Sequence, residues 1–297
     1  MSSHAHVHVN APSDPGRLPM TLPLLAEKKR LGEPIVMVTA YDYPSARSAE
    51  AAGVDLVLVG DSAATTVLGY SSTTPVELGD MLVLARAARR GLRTPLLIGD
   101  MPFGSYEVSD EQAITNAMRM VKEAGCEAVK LEGGGPSSVS RARAIVGAGI
   151  PVMGHVGLTP QTATALGGWK AQGRTAAAAA QIAAEALALQ DAGCFALVFE
   201  AIPSAVTEEL MPGLQIPVIG IGAGPATDGQ VLVFHDLLGI RDGLGARFVK
   251  RYANLQEEMN AGVAAYAEDV RSRRYPGPEH TYSIDPAELA ELHAQLS

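Results

Sequence analysis

Cysteine is nearly absent from this chain. Cys126 and Cys194 are its two, with no CxxC pair, so neither a disulfide framework nor a thiolate metal centre has a basis. Both are expected to be small buried apolar residues. Basic charge is also short: 23 Lys and Arg stand against 32 Asp and Glu, a net charge of −9 at pH 7. A surface that neutralises nucleic-acid phosphates needs the opposite sign, so no nucleic-acid partner is expected. No apolar run approaches the roughly 18 residues that a membrane span needs, and residues 1–17 lack the apolar core of a signal peptide. No membrane partner is expected, and the location read from this is cytoplasmic.

What is present is the composition of a globular protein, 47% apolar and 19% charged over 297 residues, which argues against disorder, collagen or coiled coil. That length suits two ordinary domains or a single α/β barrel of roughly 250 residues. Residues 1–17 hold two Pro and the alternating His4, His6 and His8. They read as a mobile tail, although three histidines could bind a metal in principle.

From residue 35 onward short apolar runs alternate with helical stretches, the signature of repeated β-α units and a parallel sheet. The runs span residues 35–40, 54–59, 95–98, 128–131, 151–153, 196–199 and 217–221, with a weaker eighth near 231–234. Eight is the number that closes a (β/α)8 TIM barrel. Helices are expected near 75–90, 109–124, 175–191 and 246–273, and no Pro/Gly/Ser linker divides the body. A weak repeat, Glu50-Ala-Ala-Gly-Val-Asp, Glu123-Ala-Gly-Cys-Glu-Ala and Asp191-Ala-Gly-Cys-Phe-Ala, precedes three of the runs. Its glycine is expected to end a helix in the left-handed conformation.

The residues that follow the strands carry the chemistry: Val59-Gly-Asp61-Ser62, Ile98-Gly-Asp100, Lys130-Leu-Glu132, Met153-Gly-His155 and Val198-Phe-Glu200. In a β/α barrel the carboxyl ends of the strands face one mouth, so these groups would meet there. One strand-end acid could be a helix cap, but four acids, a Lys and a His at equivalent places point to a site. Clustered carboxylates repel one another unless a cation neutralises them, and an all-oxygen set suits Mg²⁺ over Zn²⁺. Lys130 and Glu132, two apart on a strand, face the same side, with Leu131 turned to the helices. A lysine inside a barrel must pair with a carboxylate of protein or substrate. Gly220-Ile-Gly-Ala-Gly224 has the look of a late-strand phosphate loop, but does not fit GxGxxG.

Taken together, several segments resemble the ketopantoate hydroxymethyltransferase family. They are Thr39-Ala-Tyr-Asp-Tyr43, Val59-Gly-Asp-Ser62, Asp100-Met-Pro-Phe103, Val129-Lys-Leu-Glu-Gly-Gly134, Gly154-His-Val-Gly-Leu-Thr-Pro-Gln161, Pro217-Val-Ile-Gly-Ile-Gly-Ala-Gly224, Thr227-Asp-Gly-Gln-Val-Leu-Val233 and Tyr275-Pro-Gly-x-Glu-His280. They run in family order from about residue 22 to 282. The resemblance implies a barrel of the phosphoenolpyruvate mutase/isocitrate lyase type, bound Mg²⁺, and 5,10-methylenetetrahydrofolate as donor of a hydroxymethyl group to the 2-oxo acid 3-methyl-2-oxobutanoate. It further implies a homo-oligomer, a decamer in bacterial members. By position Asp61, Asp100 and Glu132 match the family's metal site. Ser62 and Lys130, with Asp61 and Asp100, match its ketoacid-binding residues, Glu200 its proton acceptor, and His155 a histidine of the site.

Departures from the family pattern at Ser71, Gly135-Pro136 and Thr162-Ala-Thr164 touch the expected folate contacts and loop conformation, not the metal chemistry. The expected division is a tail at 1–17, one catalytic barrel at 18–282 and an extension at 283–297, where Asp285-Pro286 opens a short amphipathic helix, docked or frayed. Two other readings stand beside the transferase: a Mg²⁺-dependent carbon–carbon lyase on a 2-oxo acid, needing no folate, and a catalytically inert barrel acting in assembly. For Glu200 the alternative is an arginine-paired rim carboxylate, and for His155 a hydrogen-bonded core histidine.

Overall fold

Apolar β-branched and leucine runs, buried on both faces, form a closed parallel barrel in sequential strand order. The computed structural model describes residues 16–241, 243 and 245–297. The strands are β1 (Ile35–Thr39), β2 (Leu56–Val59), β3 (Leu96–Asp100), β4 (Ala128–Lys130), β5 (Val152–Gly157), β6 (Ala196–Glu200), β7 (Val218–Ile221) and β8 (Gly229–Leu232). Their side chains split into two layers. Ile35, Met37, Leu56, Leu58, Leu96, Ile98, Ala128, Met153, Ala196, Val198, Ile219 and Val231 fill the barrel, and Leu25 of the helix Leu22–Leu31 packs with them. The alternate residues, among them Val57, Leu97, Val129, Val152, Leu197 and Val218, meet the surrounding helices.

The eighth strand lies two residues earlier than the apolar pattern 231–234 predicts, because backbone contact, not hydropathy, selects it. Gly229 pairs with Ile35, and a Cβ there would stand 2.3 Å from the Ile35 carbonyl oxygen. Only glycine closes the barrel at that point. Phe234, the expected end of the strand, instead starts a short helix and donates its N–H to Thr39 Oγ1 at 2.9 Å.

The helices Leu78–Gly91, Asp110–Ala124 and Ala176–Asp191 occupy the predicted stretches. The expected helix at 246–273 begins only at Leu255. Before it, the N–H of Tyr252 is bonded to Leu237 O, which ties that stretch to the preceding short helix. The repeat glycines do what their position requires: Gly53, Gly125 and Gly193 have φ of +69°, +72° and +96°.

His4, His6 and His8 lie outside the described residues. Arg17, the last residue of the predicted tail, is anchored. It donates to the Val54 carbonyl at 2.8 Å and stands 3.5 Å from the Asp55 carboxylate, so contact with the barrel begins within the segment assigned to the tail. At the other end, the Asp285 side chain accepts from Ala287 N–H and caps Pro286–Leu296, in which no residue is buried. Among the described residues no helix is long and apolar enough to cross a membrane.

One stretch of the outer wall is bare. Val36 on β1 is 50% exposed between buried Ile35 and Met37. With Gln230 of β8 and Phe248 it lines a groove of about 800 Å³. The 17-residue helix Leu255–Arg271 has no buried residue and displays Met259, Val263, Tyr266 and Val270.

Glu50 shows how the wall is fastened. Its buried carboxylate accepts from the N–H groups of Arg93 and Thr94 and from Thr94 Oγ1, at 2.8, 3.1 and 3.0 Å. Burial acts to raise its pKa, but these bonds outweigh it and hold the group below its ordinary value. The stabilisation is therefore fully present above the unfolded pKa of about 4.3 and is lost as the pH falls through the lower folded value. Glu50→Ala is expected to cost about 2 kcal/mol at pH 7, a loss that narrows towards pH 3 in urea unfolding curves. A pH-independent difference would refute this account.

Candidate active site

Period-two alternation delivers the ionisable groups to the barrel mouth. Ile98, Ala128, Met153 and Val198 point inward, so Asp100, Lys130, His155 and Glu200, each two residues further along, do so as well. Leu131 lies in the outer layer, as its position between Lys130 and Glu132 predicts. Asp61 follows β2 by two residues, where the chain turns into a short helix.

The mouth is largely closed to solvent and crowded with ionisable groups. Asp61, Asp100, Lys130, Glu132 and His155 are all buried, and Glu200 opens further to solvent, with 14% of its side chain exposed. Lys130 Nζ lies 2.9 Å from Asp100 Oδ1, 3.7 Å from Glu132 Oε1 and 3.3 Å from His155 Nδ1. The imidazole spans two carboxylates, with Nδ1 at 3.6 Å from Glu132 Oε1 and Nε2 at 3.3 Å from Glu200 Oε2. The Asp61 N–H donates to Asp100 Oδ2 at 3.0 Å. The predicted site residues thus meet, and they come from five separate strand ends. Ser62 adjoins Asp61 in sequence, and its Oγ is 2.8 Å from the Tyr41 hydroxyl.

The charges divide unequally. Burial pushes Asp61 well above the usual carboxylate range, with the Asp100 and Glu132 charges adding to the rise. Burial also raises Asp100, and Lys130 offsets this in part. Glu132 goes the other way: Lys130 and His155 overcome its burial and lower its pKa. Burial presses Lys130 towards its neutral form, but the Asp100, Glu132 and Asp61 charges raise its pKa above the usual value. For His155, burial and the Lys130 charge are outweighed by Glu132 and Glu200, and its pKa reaches about 9.

Asp61 and Asp100 are held in a state that a cation would relieve, which makes this donor set suitable for a hard ion. Among the described residues no three His, Cys, Asp or Glu side chains form a ready-made coordination cluster, since Lys130 reaches both Asp100 and Glu132. The acids at the mouth are an all-oxygen donor set, which suits Mg²⁺, an ion that takes one or two carboxylates directly and keeps several waters, better than Zn²⁺, which favours His and Cys ligands.

Three residues of this region carry no charge and were not singled out from the sequence. Gln161 occurs there only as the end of the Gly154-His-Val-Gly-Leu-Thr-Pro-Gln161 segment, yet its side chain reaches Asp61. Tyr106 donates to Gln161 Oε1 and sits in a loop without a sequence signal. Tyr41 is buried against His235, with ring centroids 5.4 Å apart. The glycines of 220–224 serve chain packing in this structure: Gly222 lies against Phe248 and Gly224 against Ser204.

The comparisons agree with this geometry. Residues 19–278 match the family model described as ketopantoate hydroxymethyltransferase. The 3-methyl-2-oxobutanoate hydroxymethyltransferase of Moorella thermoacetica is 51% identical over 263 residues, covering 89% of this chain and 97% of the relative. A relative of that name from Arabidopsis thaliana, designated mitochondrial, is 49% identical over 283 residues, 93% of this chain and 82% of the relative. In fold, the chain is similar to 2,3-dimethylmalate lyase, a member of the PEP mutase/isocitrate lyase superfamily. The TM-score is 0.57 at 16% identity, over 93% of this chain and 99% of that one. At that identity the lyase lends its architecture and not its reaction. A ring of buried acids around Lys130 at the mouth of a sequentially closed barrel, with half of the residues shared over nine-tenths of the length, places this chain in the ketopantoate hydroxymethyltransferase family.

Proposed function

We propose that this protein transfers a hydroxymethyl group from 5,10-methylenetetrahydrofolate to 3-methyl-2-oxobutanoate, giving 2-dehydropantoate for the synthesis of pantothenate. The observation that carries the reading is the convergence of Asp61, Asp100, Lys130, Glu132, His155 and Glu200 at one mouth. The family match favours the transferase over the lyase and the inert barrel.

Lys130 and Ser62 would bind the ketoacid carboxylate. Burial pushes the Tyr41 phenol up to about 12, so Tyr41 stays protonated and can donate to Ser62 Oγ. The Ser62 hydrogen is then left for the substrate. Glu200, the most open of the carboxylates, takes the proton from C3, with His155 Nε2 fixing its orientation. The C3 electron pair then forms a bond to the one-carbon unit of the folate, both of whose carbon–nitrogen bonds break in the course of the transfer, and water supplies the hydroxyl that the carbon carries away. One water is taken up overall as tetrahydrofolate leaves. Asp61, Asp100 and Glu132 would hold Mg²⁺, which when bound supplies positive charge against the developing enolate oxygen.

The working form we propose is a homo-oligomer, a decamer as the family resemblance implies. The exposed apolar side chains along Leu255–Arg271 support association. Two free buried cysteines, Cys126 and Cys194, suit the reducing cytoplasm.

The test is an assay of 2-dehydropantoate formation with each substrate omitted in turn, before and after chelation. Activity is expected only with both substrates. It should vanish on chelation and return with Mg²⁺ or Mn²⁺. Cleavage of a 2-oxo acid without folate would overturn the transferase reading, and full turnover in a verified metal-free preparation would overturn the role of the metal.

A further inference from the structure

Gln161 is a neutral side chain buried beside carboxylates, and both polar atoms of that side chain are engaged. Its Nε2 donates to Asp61 Oδ2 and to the Met101 carbonyl oxygen, both at 3.0 Å. Its Oε1 accepts from the Tyr106 hydroxyl at 2.5 Å. Its backbone N–H donates to Glu132 Oε2 at 3.0 Å. Two acceptors on one side and one hydroxyl on the other fix which end of the amide is nitrogen. Reversing it would set an oxygen against a carboxylate and a carbonyl.

The contacts reach across the barrel. Asp61 follows β2, Met101 follows β3, Glu132 follows β4, and Gln161 lies in a short 3-10 turn after β5. One residue therefore grips two of the three carboxylates assigned to the metal, from both its side chain and its main chain. Tyr106 closes the arrangement: its hydroxyl donates to Gln161 and accepts the Glu132 N–H at 3.3 Å. Each carboxylate keeps its second oxygen clear of Gln161. Glu132 Oε1 faces Lys130 and His155.

We propose that Gln161 is the positioning residue of the metal site, setting the separation and orientation of Asp61 and Glu132 so that both can serve one hydrated divalent cation. The inference rests on the assignment of Asp61 and Glu132 to the metal. An amide is suited to the task because it donates to a carboxylate without neutralising it, whereas a Lys or Arg there would compete with the cation for the same negative charge. Partners that orient metal-binding carboxylates typically change affinity about 10- to 100-fold when removed.

The experiment measures Mn²⁺ binding to the full-length protein by electron paramagnetic resonance, and Mg²⁺ binding by calorimetry, for wild type, Gln161→Ala, Gln161→Glu, Tyr106→Phe and Asp61→Asn. Gln161→Ala is expected to weaken Mn²⁺ binding about 10- to 100-fold while the metal-free protein still melts cooperatively. Tyr106→Phe, which frees the amide to rotate, is expected to weaken it to a smaller degree. Gln161→Glu keeps the shape but turns the donor into an acceptor, so it is expected to alter the Mn²⁺ spectrum as well as the affinity. If Gln161→Ala fails to fold, Tyr106→Phe and Gln161→Glu decide the matter by the same measurements. Wild-type Mn²⁺ affinity in the folded Gln161 variants, with binding lost in Asp61→Asn, would overturn the role of Gln161 alone. Wild-type affinity in Asp61→Asn would overturn the metal assignment beneath it.

Discussion

Glu200→Gln should slow the exchange of the C3 hydrogen of 3-methyl-2-oxobutanoate for solvent deuterium by about 10²- to 10⁴-fold, the usual contribution of a general base. Exchange is followed by proton NMR with Mg²⁺ present and folate omitted, so that enolisation is isolated from carbon transfer. The amide preserves the shape of the side chain at the end of β6 and its proximity to His155 Nε2, but cannot accept a proton. Ketoacid affinity, measured by calorimetry, is expected to change little, because the carboxylate of the substrate is assigned to Lys130 and Ser62. His155 is the competing base and the poorer one. Both of its ring nitrogens face carboxylates, and at a pKa of about 9 the ring is already protonated at neutral pH. Exchange at the wild-type rate in Glu200→Gln would remove Glu200 as the base.

Asp61→Asn is expected to fail at an earlier step and in an opposite manner for stability. Loss of one of three assigned carboxylates should weaken Mn²⁺ binding by more than the roughly 100-fold of an outer-shell change, and ketoacid binding should fall with it. In the metal-free protein, however, burial and the neighbouring Asp100 and Glu132 charges raise the Asp61 pKa well above its ordinary value, so ionising this side chain as the pH rises costs stability. The neutral isostere removes that cost. The melting temperature of Asp61→Asn in chelator is therefore expected to exceed that of wild type, by about 2–4 °C for each kcal/mol gained at roughly this chain length. Such a trade of stability for chemistry is common where an active site concentrates like charge. Retained metal affinity, or a lower melting temperature in chelator, would contradict the argument.

Asp100, Lys130, His155 and Glu200 were legible because a strand alternates strictly, whereas Asp61, two places after the outward-facing Val59, reaches the mouth through the turn that follows β2. Once Ile98-Gly-Asp100 or Met153-Gly-His155 is read as a strand end, the inward direction of the acid or imidazole follows from the apolar residue two places before it. The interdigitating helices and the left-handed glycines at 53, 125 and 193 were open to the same local logic. What could not be read came from contacts distant in sequence. β8 is placed by the closeness of Gly229 to Ile35, across almost 200 residues, and not by its own hydropathy. Gln161 is a polar residue after a proline in a loop, and nothing local distinguishes it from a solvated one. Its importance lies in Asp61, 100 residues away. The start of the helix at Leu255 was missed because a main-chain bond from Tyr252 N–H to Leu237 O ties the chain just before it to the preceding short helix.

The helix Leu255–Arg271, with no side chain buried, has a consequence for how this protein ought to be handled. A segment that contributes nothing to the core of its own chain leaves part of the folding free energy to association. In the homo-oligomer proposed above, unfolding is then coupled to dissociation, and the midpoint of thermal denaturation depends on protomer concentration through mass action. Dilution should lower it, and a melting curve recorded at a single concentration would describe the assembly and the barrel together.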